Sequence, residues 1–537
     1  MKKENKLLLI MPRQEVTSKP DYDYLFPLGI AYISSVLKKA AYNVDCLNLN
    51  HLKGTIEEIL SPALDKKEYN FVCTGHTGLG YLIIEDIIKT VRKHPSKPKT
   101  ILGGIIITTE PELMFNSLNP DFAVIGEGEI TILELLEGIE KNKDLAKIKG
   151  IVYRNNFGEI HITEKREPIN DLDSIPFPDF DGFEFEKKIN NMSCDSDYVL
   201  ADYPRIYPIL GSRGCPFSCT FCYHDNRYRM RSIKSILEEL TFAVKKYKIN
   251  RIVLHDECFA IKLERIEEFC KGITKLRKEI SWDLKWIPQL TVHLVDDKLL
   301  KMMKDAGCEI ISYGFESFSQ KVLKSMNKPI TPQQIDNAFK KTIAAKMVVI
   351  ANFIFGDIAE TKETSEETLN YWKNSCKGQL GLVVIEPYPG SKIYEHAVKK
   401  GIIKDKLFFI KNQMGRIGDT DLNITSMDDQ NFDKLKKKIV IYNLKYARTG
   451  KNPIWEKHKL KVTCPFCKER INYENLKVSN RLIYDLLFIC KNCKMRFHVR
   501  SLLKRISYIS YPVIRPLYPL YRKAKIYLNR NAMKVGS

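Results

Sequence analysis

Gly211-Ser212-Arg213-Gly214-Cys215-Pro216-Phe217-Ser218-Cys219-Thr220-Phe221-Cys222-Tyr223 follows directly on Arg205 to Leu210, an apolar run with strand character. Its cysteines stand at C-x3-C-x2-C, a spacing at which three thiolates hold three irons of a 4Fe–4S cluster. No fourth cysteine stands nearby, so one iron is left open to a substrate or cofactor. Electron-transfer clusters ordinarily have four protein ligands, and the missing one argues for catalysis. The rival is a zinc site or a chance spacing; the strand-end loop and the aromatic Tyr223 beside the last cysteine speak against it.

Downstream of this loop, Arg251 to His255, Leu284 to Ile287, Ile310 to Tyr313, Val348 to Phe355 and Leu382 to Ile385 read as strands separated by helical patterns. With the strand before the cysteines they make six βα units, enough for a partial (β/α)6 barrel of the TIM type. In such barrels the chemistry sits at the C-terminal strand ends. Upstream, Lys6 to Met11, Val44 to Leu49, Tyr69 to Thr74, Thr100 to Leu102 and Phe122 to Ile125 read as strands, with helices over Leu28 to Ala41, Leu82 to Lys93 and Thr131 to Glu140. This βαβα order predicts an α/β fold opening on a doubly wound, Rossmann-like parallel sheet. Several strands end in glycine-rich turns: Thr74-Gly75-His76-Thr77-Gly78, Gly103-Gly104 and Gly126-Glu127-Gly128-Glu129. Glycine there lets the backbone come close to a ligand, although ordinary tight turns use the same residues.

The expected organisation is therefore a doubly wound domain over 1–140, a connector over 141–200, the barrel over 201–400, a helical extension over 401–455, a cysteine module over 456–500 and a basic tail over 501–537. The connector holds a hairpin from Gly150 to Thr163 and the crossing Ile175-Pro176-Phe177-Pro178.

Hydrophobic residues make up 44% of the 537-residue chain and charged residues 28%, which excludes disorder or fibrous architecture for its bulk. The apolar run Leu7 to Met11 is too short for a signal-peptide core, and no stretch approaches a membrane span, so export is not expected and the chain is read as cytoplasmic. Of the net charge of +21, residues 451–537 carry +16, with 20 Lys+Arg against 4 Asp+Glu. An anionic partner is accordingly expected at the C-terminal end. Fourteen cysteines in a reducing compartment favour metal or cluster ligation over disulfides. Cys464-Pro465-Phe466-Cys467, followed after 22 residues by Cys490-Lys491-Asn492-Cys493, reads as a four-cysteine zinc-ribbon site with a structural metal; a second iron–sulfur cluster is the alternative.

The loop Cys215 to Cys222 resembles the signature of the radical S-adenosylmethionine enzymes. That resemblance implies that S-adenosylmethionine chelates the open iron and is cleaved, on one-electron reduction, to a 5′-deoxyadenosyl radical, with the protein supplying orientation and exclusion of water. Similar matches follow at His255-Asp256-Glu257-Cys258-Phe259, Tyr313-Gly314-Phe315-Glu316-Ser317 and Asn352-Phe353-Ile354-Phe355-Gly356. The resemblance implies Asp256 or Glu257 at the methionyl amino group, Glu316 and Ser317 on the ribose or carboxylate side, the strand around Asn352 and Gly356 at the adenine, and Tyr223 beside the cluster. Joined to the doubly wound domain, the barrel is similar to the cobalamin-dependent branch of the family, across about residues 5–395 and including Pro387-Tyr388-Pro389-Gly390-Ser391. Thr74, Gly75, His76, Thr77, Gly103, Gly104, Gly126, Glu127 and Gly128 are then the candidate cobalamin contacts. A D-x-H-x-x-G loop after the first strand, which gives cobalt a histidine in many cobalamin proteins, is absent: His51-Leu52-Lys53-Gly54 matches only half and follows the second strand. Cobalamin without a protein nitrogen on cobalt is expected.

The expected activity is methyl transfer to an unactivated carbon or phosphorus centre of a small-molecule or lipid-type substrate. A cobalamin-dependent cyclase or rearrangement enzyme is the first rival, and an RNA-modifying enzyme docked by ribbon and tail is the second. A low-potential electron donor such as a flavodoxin or ferredoxin is the expected redox partner. Tail residues Arg500, Lys504, Arg505, Arg515, Arg522, Lys523, Lys525, Arg530 and Lys534, interleaved with Tyr508, Tyr511, Tyr518, Tyr521 and Tyr527, point to an anionic membrane surface, at the inner membrane face, ahead of nucleic acid.

Overall fold

In the computed structural model, the described residues are 4–13, 26–76, 78–190, 203–223, 227–414, 422–474, 476 and 482–514. The N-terminal strands β1 (Lys6–Met11), β2 (Asn43–Asn48), β3 (Phe71–Gly75), β4 (Lys99–Gly103) and β5 (Phe122–Val124) form a parallel sheet, extended by β6 (Ile151–Arg154) and β7 (Ile160–Ile162) in the order β2-β1-β3-β4-β5-β6-β7. Continuous apolar runs such as Leu7–Met11 suit strands buried on both faces, as a parallel sheet with helices on either side requires. The hairpin assigned by sequence to the connector is the antiparallel edge of this sheet, with Val124 paired to Ile151. It covers the strand edge that β5 would otherwise leave open.

Six parallel barrel strands follow, at Ile206–Ile209, Arg251–Leu254, Lys285–Ile287 continuing as Gln289–Leu290, Ile310–Tyr313, Val348–Ile350 continuing as Asn352–Phe355, and Gly381–Val384. Their registers run Arg251 to Ile206, Ile252 to Trp286, Ser312 to Gln289, Ile310 to Val348 and Phe353 to Leu382. Sheet and barrel share a core. Phe180, in the crossing between them, stacks on Phe26 of the first domain at 4.6 Å and lies 4.5 Å from Tyr207 of the barrel, centroid to centroid.

The C-terminal module starts at Lys451, five residues before its expected boundary. Strand Lys451–Glu456 pairs with Lys459–Thr463, which pairs with Arg470–Tyr473, and a second ribbon joins Asp485–Ile489 to Arg496–Arg500. The module seats on the N-terminal end of the barrel. Ile489 packs among Val253, Ile287, Ile310, Val348 and Ile350, the side chains that fill the barrel interior. Around it, Lys494 pairs with Glu309 at 3.0 Å, Glu309 with the buried Arg251 at 3.3 Å, and Arg496 donates to the Gln379 carbonyl at 3.0 Å. The helix Leu502–Ile514 follows. Among the described residues no helix is long and apolar enough to cross a membrane.

Candidate active site

The cysteine loop leaves the first barrel strand at the C-terminal end and is closed at its base by a two-residue antiparallel pair, Arg229 with Arg213 and Met230 with Ser212. Asp256 holds its entry. One carboxylate oxygen accepts from the Gly211 N–H at 2.6 Å and the other from the Ser212 hydroxyl at 2.8 Å. Burial pushes this carboxyl up to about 6, against the pull of these donors. Asp256 thus shapes the loop, whereas Glu257 is exposed; beyond the effect of burial, its charge raises the pKa of Cys215 and Cys222, and that of Glu316 raises Cys219 and Cys222.

Further along, the loop is stitched to distant segments. The Thr220 N–H donates to the Met326 carbonyl, the Ile393 N–H to Thr220, and the Asn327 amide to the Ser218 carbonyl. Cys215 and Cys219 are buried and Cys222 is exposed. Burial first, then Glu257 and the other two thiols, pushes Cys222 up to about 12. Three thiols raised in this way, chiefly by burial, are poor anions on their own and good ligands once a cationic cluster compensates them, which fits the iron–sulfur reading.

Beside the cysteines, Glu316 stands at φ +59, a left-handed conformation unusual for a side-chain-bearing residue. Its backbone is pinned on both sides, with its N–H donating to the Asn352 carbonyl and its carbonyl accepting from the Ile354 N–H. Its carboxylate accepts from the Lys328 ammonium at 3.1 Å. Burial opposes the charge on Lys328, but Glu316 and then Cys219 hold its pKa above the ordinary value. A Cβ on Gly314 would run into this pair, so glycine there leaves the ion pair its place. Lys328 escaped the sequence reading, since nothing local links it to a strand end twelve residues earlier.

Ser317 is committed to local structure: its hydroxyl lies 3.2 Å from that of Thr368 and accepts from the Ser319 N–H. Asn352 is exposed, and its side chain occupies the space a Cβ on Gly381 would need. Gly356, at φ +101, donates its N–H to Glu360 at 3.3 Å. Within the barrel, a cavity of about 90 Å³ is lined by His255, Asp256, Gln289 and Ser312 among others. Burial lowers the His255 pKa, favouring the neutral ring.

The glycine turns of the sheet form a second candidate surface. Positions for a Cβ on Gly103 and Gly126 meet nothing within 4 Å, leaving bare backbone at the ends of β4 and β5. At Gly75 a Cβ would stand 2.6 Å from the Gly103 carbonyl, and at Gly104, φ +86, 2.9 Å from the His76 carbonyl, so these turns exist only with glycine. An open backbone face of this kind fits a broad planar group such as a corrin. His76 Nε2 donates to the Arg13 carbonyl at 3.1 Å. The His51 ring is fully buried 3.3 Å from the Asn48 amide, and burial takes its pKa down to about 4. Thr74 donates to the Ile10 carbonyl; Thr77 lies outside the described residues. Gly128 packs against Ile33, and the Glu127 carboxylate serves the junction with the barrel, accepting from Arg213 at 3.0 Å, Arg229 at 2.9 Å and the Ile169 N–H at 2.6 Å.

Sheet and barrel meet at Gly390 as well. This residue, at φ +84, sits where a Cβ would be 2.5 Å from the Tyr223 ring and 3.0 Å from Thr109 Cγ2, so the cysteine loop, the segment after the last barrel strand and the helix after β4 close on one point.

The four ribbon cysteines form a separate centre. Their sulfurs all lie within 4.8 Å of one another, with Cys464–Cys493 at 3.8 Å and Cys467–Cys490 at 3.6 Å. Four thiolates about 2.3 Å from one ion stand roughly 3.8 Å apart at tetrahedral angles, so the spacing fits a single zinc ion and is too tight for a cluster.

Residues 209–371 match the family description "Radical SAM superfamily", and residues 19–136 match "B12 binding domain". The chain is 27% identical, over 74% of its length and 84% of the relative's, to an uncharacterized methyltransferase, PH0819, of Pyrococcus horikoshii. It is 28% identical to an anaerobic magnesium-protoporphyrin IX monomethyl ester cyclase of Rubrivivax gelatinosus, over 69% of this chain and 66% of that one. Among solved structures, the radical S-adenosylmethionine methyltransferase TsrM of Kitasatospora setae, with cobalamin and a [4Fe-4S] cluster bound, matches with a TM-score of 0.58 at 16% identity, covering 74% of this chain and 75% of that one.

Proposed function

We propose, since the chain belongs to the cobalamin-dependent branch of the radical S-adenosylmethionine enzyme family, that it is a methyltransferase with a 4Fe–4S cluster on Cys215, Cys219 and Cys222, S-adenosylmethionine beside it and cobalamin on the strand ends of the N-terminal sheet. When bound, these groups supply a radical at the substrate and a methyl group to meet it. The residues of the chain hold them to one volume. Arg213, two residues before the first cluster cysteine, is tied to Glu127 and Glu129 in the turn that closes the cobalamin surface, and this shared wall is the observation that carries the proposal. Glu257 and the Glu316–Lys328 pair present charge toward the S-adenosylmethionine side, while Asp256 fixes the loop that carries the thiolates. The ribbon zinc, ligated by Cys464, Cys467, Cys490 and Cys493, is structural. A low-potential flavodoxin- or ferredoxin-type donor supplies the electrons.

Similarity to the cyclase favours a second reading, in which the same cofactors end in ring formation. Anaerobic reconstitution with iron, sulfide and cobalamin, followed by incubation with S-adenosylmethionine and a low-potential reductant, separates the two. S-adenosylhomocysteine formed together with 5′-deoxyadenosine supports methyl transfer; 5′-deoxyadenosine alone supports the cyclase-type reaction.

A further inference from the structure

Over residues 502–510, the helix Leu502–Ile514 has one face docked and one face bare. On the docked side the Tyr508 hydroxyl donates to Asp485 at 2.9 Å, and the Arg500 guanidinium, itself paired to Asp485 at 3.0 Å, lies over the Tyr508 ring. Ser501 caps the start, accepting from the Lys504 N–H. These contacts fix which side faces out. There Leu502, Leu503, Ile506 and Ile509 are 73%, 46%, 51% and 68% exposed, with Leu502, Ile506 and Ile509 at the i, i+4, i+7 spacing of one helical stripe and the exposed Arg505 beside them. No acidic residue follows Asp485 in the sequence, whereas twelve lysines and arginines do. Asp485 is itself occupied by His498, Arg500 and Tyr508.

We propose that this helix seats the protein on an anionic phospholipid surface. A short helix with an aliphatic stripe and cationic flanks lies in the bilayer interface, where the stripe enters the acyl boundary and the cations meet the headgroups. Other occupants fit less well. Single-stranded nucleic acid stacks its bases on aromatic rings, and this face presents aliphatic side chains. A second copy would bring two strongly cationic surfaces together over four side chains, far below the roughly 1,200 Å² of a stable interface. The inference is independent of the reaction catalysed.

Co-sedimentation of the full reconstituted chain with vesicles of phosphatidylcholine containing about one-third phosphatidylserine tests it. The expected result is sedimentation with these vesicles, at least tenfold weaker with pure phosphatidylcholine, and at least tenfold weaker for Leu502→Glu/Ile506→Glu/Ile509→Glu. Arg505→Gln, which leaves the stripe intact, should bind with a smaller salt dependence. Equal partitioning of the parent and the triple variant would overturn the proposal, as would tighter binding to single-stranded RNA that the triple variant retains. A parent dimer that the triple variant dissociates would overturn it in favour of a second copy.

Discussion

Arg213 Nη2 lies 2.5 Å from Glu129 Oε1, across the junction between the sheet and the barrel. The guanidinium stands ahead of the first cluster cysteine, and the carboxylate belongs to the first turn of the helix that leaves β5. Burial works against the charge, but Glu129 and Glu127 hold the arginine's pKa above its ordinary value. The Arg213 guanidinium also covers the Tyr32 ring at 5.3 Å. One buried ion pair thereby ties the proposed cobalamin surface to the proposed cluster loop.

Removing one partner of this pair strands a buried charge, a change that costs about 3–5 kcal/mol. Arg213→Ala and Glu129→Ala should each lower the melting temperature by several degrees, and the double variant should lose less than the sum of the two, by about 1–3 kcal/mol. Strictly additive melting shifts would show that the two residues do not act as a clamp.

Replacing Cys215, Cys219 or Cys222 singly by Ala should abolish the catalytic cluster and 5′-deoxyadenosine formation while leaving the ribbon metal in place. Iron and zinc analysis of each variant, with product assay, checks this. Any variant that still makes 5′-deoxyadenosine contradicts the cluster assignment.

Gly314→Ala puts a methyl group where the Glu316 carboxylate and the Lys328 ammonium now meet. Both are ends of flexible side chains and will shift, so the fold should survive with iron content unchanged. Activity should fall about 10-fold or more, the scale on which outer-shell partners act at cofactor sites. Lys328→Met should match it, and unchanged activity in both would remove the pair from the site.

Metal loss at the ribbon should loosen the floor of the barrel, because Ile489 directly precedes Cys490 and plugs the barrel interior. One zinc per chain is expected. Its removal by chelation, or Cys464→Ser, should lower the melting temperature, and Ile489→Ala should reproduce part of the loss at roughly 2–5 kcal/mol with zinc still bound. Melting curves that ignore both changes would make the module an independent appendage.

Glu360 offers a pH test. Burial pushes its carboxyl up to about 7 from an ordinary 4.5, against donors from Thr364 and Gly356. With the folded value above the unfolded one, its contribution is fully present below about 4.5 and is lost as pH rises through 7. Glu360→Gln, which cannot ionise, should therefore gain stability relative to the parent between pH 5 and 8, by roughly 1–3 kcal/mol. A stability difference that stays flat across that range would place the carboxyl in an ordinary environment.

Much of this protein was legible from residue order alone. Period and spacing identified the parallel sheet, the six barrel strands, the cysteine triad and the four-cysteine site, because each is written within a few consecutive residues: an apolar run, a glycine turn, C-x3-C-x2-C, CxxC. Helices such as Ile56–Asp65 and Pro111–Leu118 went unread; the first carries an internal Pro62, which breaks the local pattern although a Thr55–Glu58 capping box starts it. Tertiary structure alone decided what the side chains at those motifs face. Asp256 turns to Gly211 and Ser212; Glu127 turns to two arginines of the barrel; Lys328 reaches Glu316; and Ile489 enters the barrel from beneath. Each pairing joins residues far apart in sequence or separated by a strand end, and the partner of a buried charge is set by which segments the folded core brings within about 3 Å, a distance that local pattern does not encode.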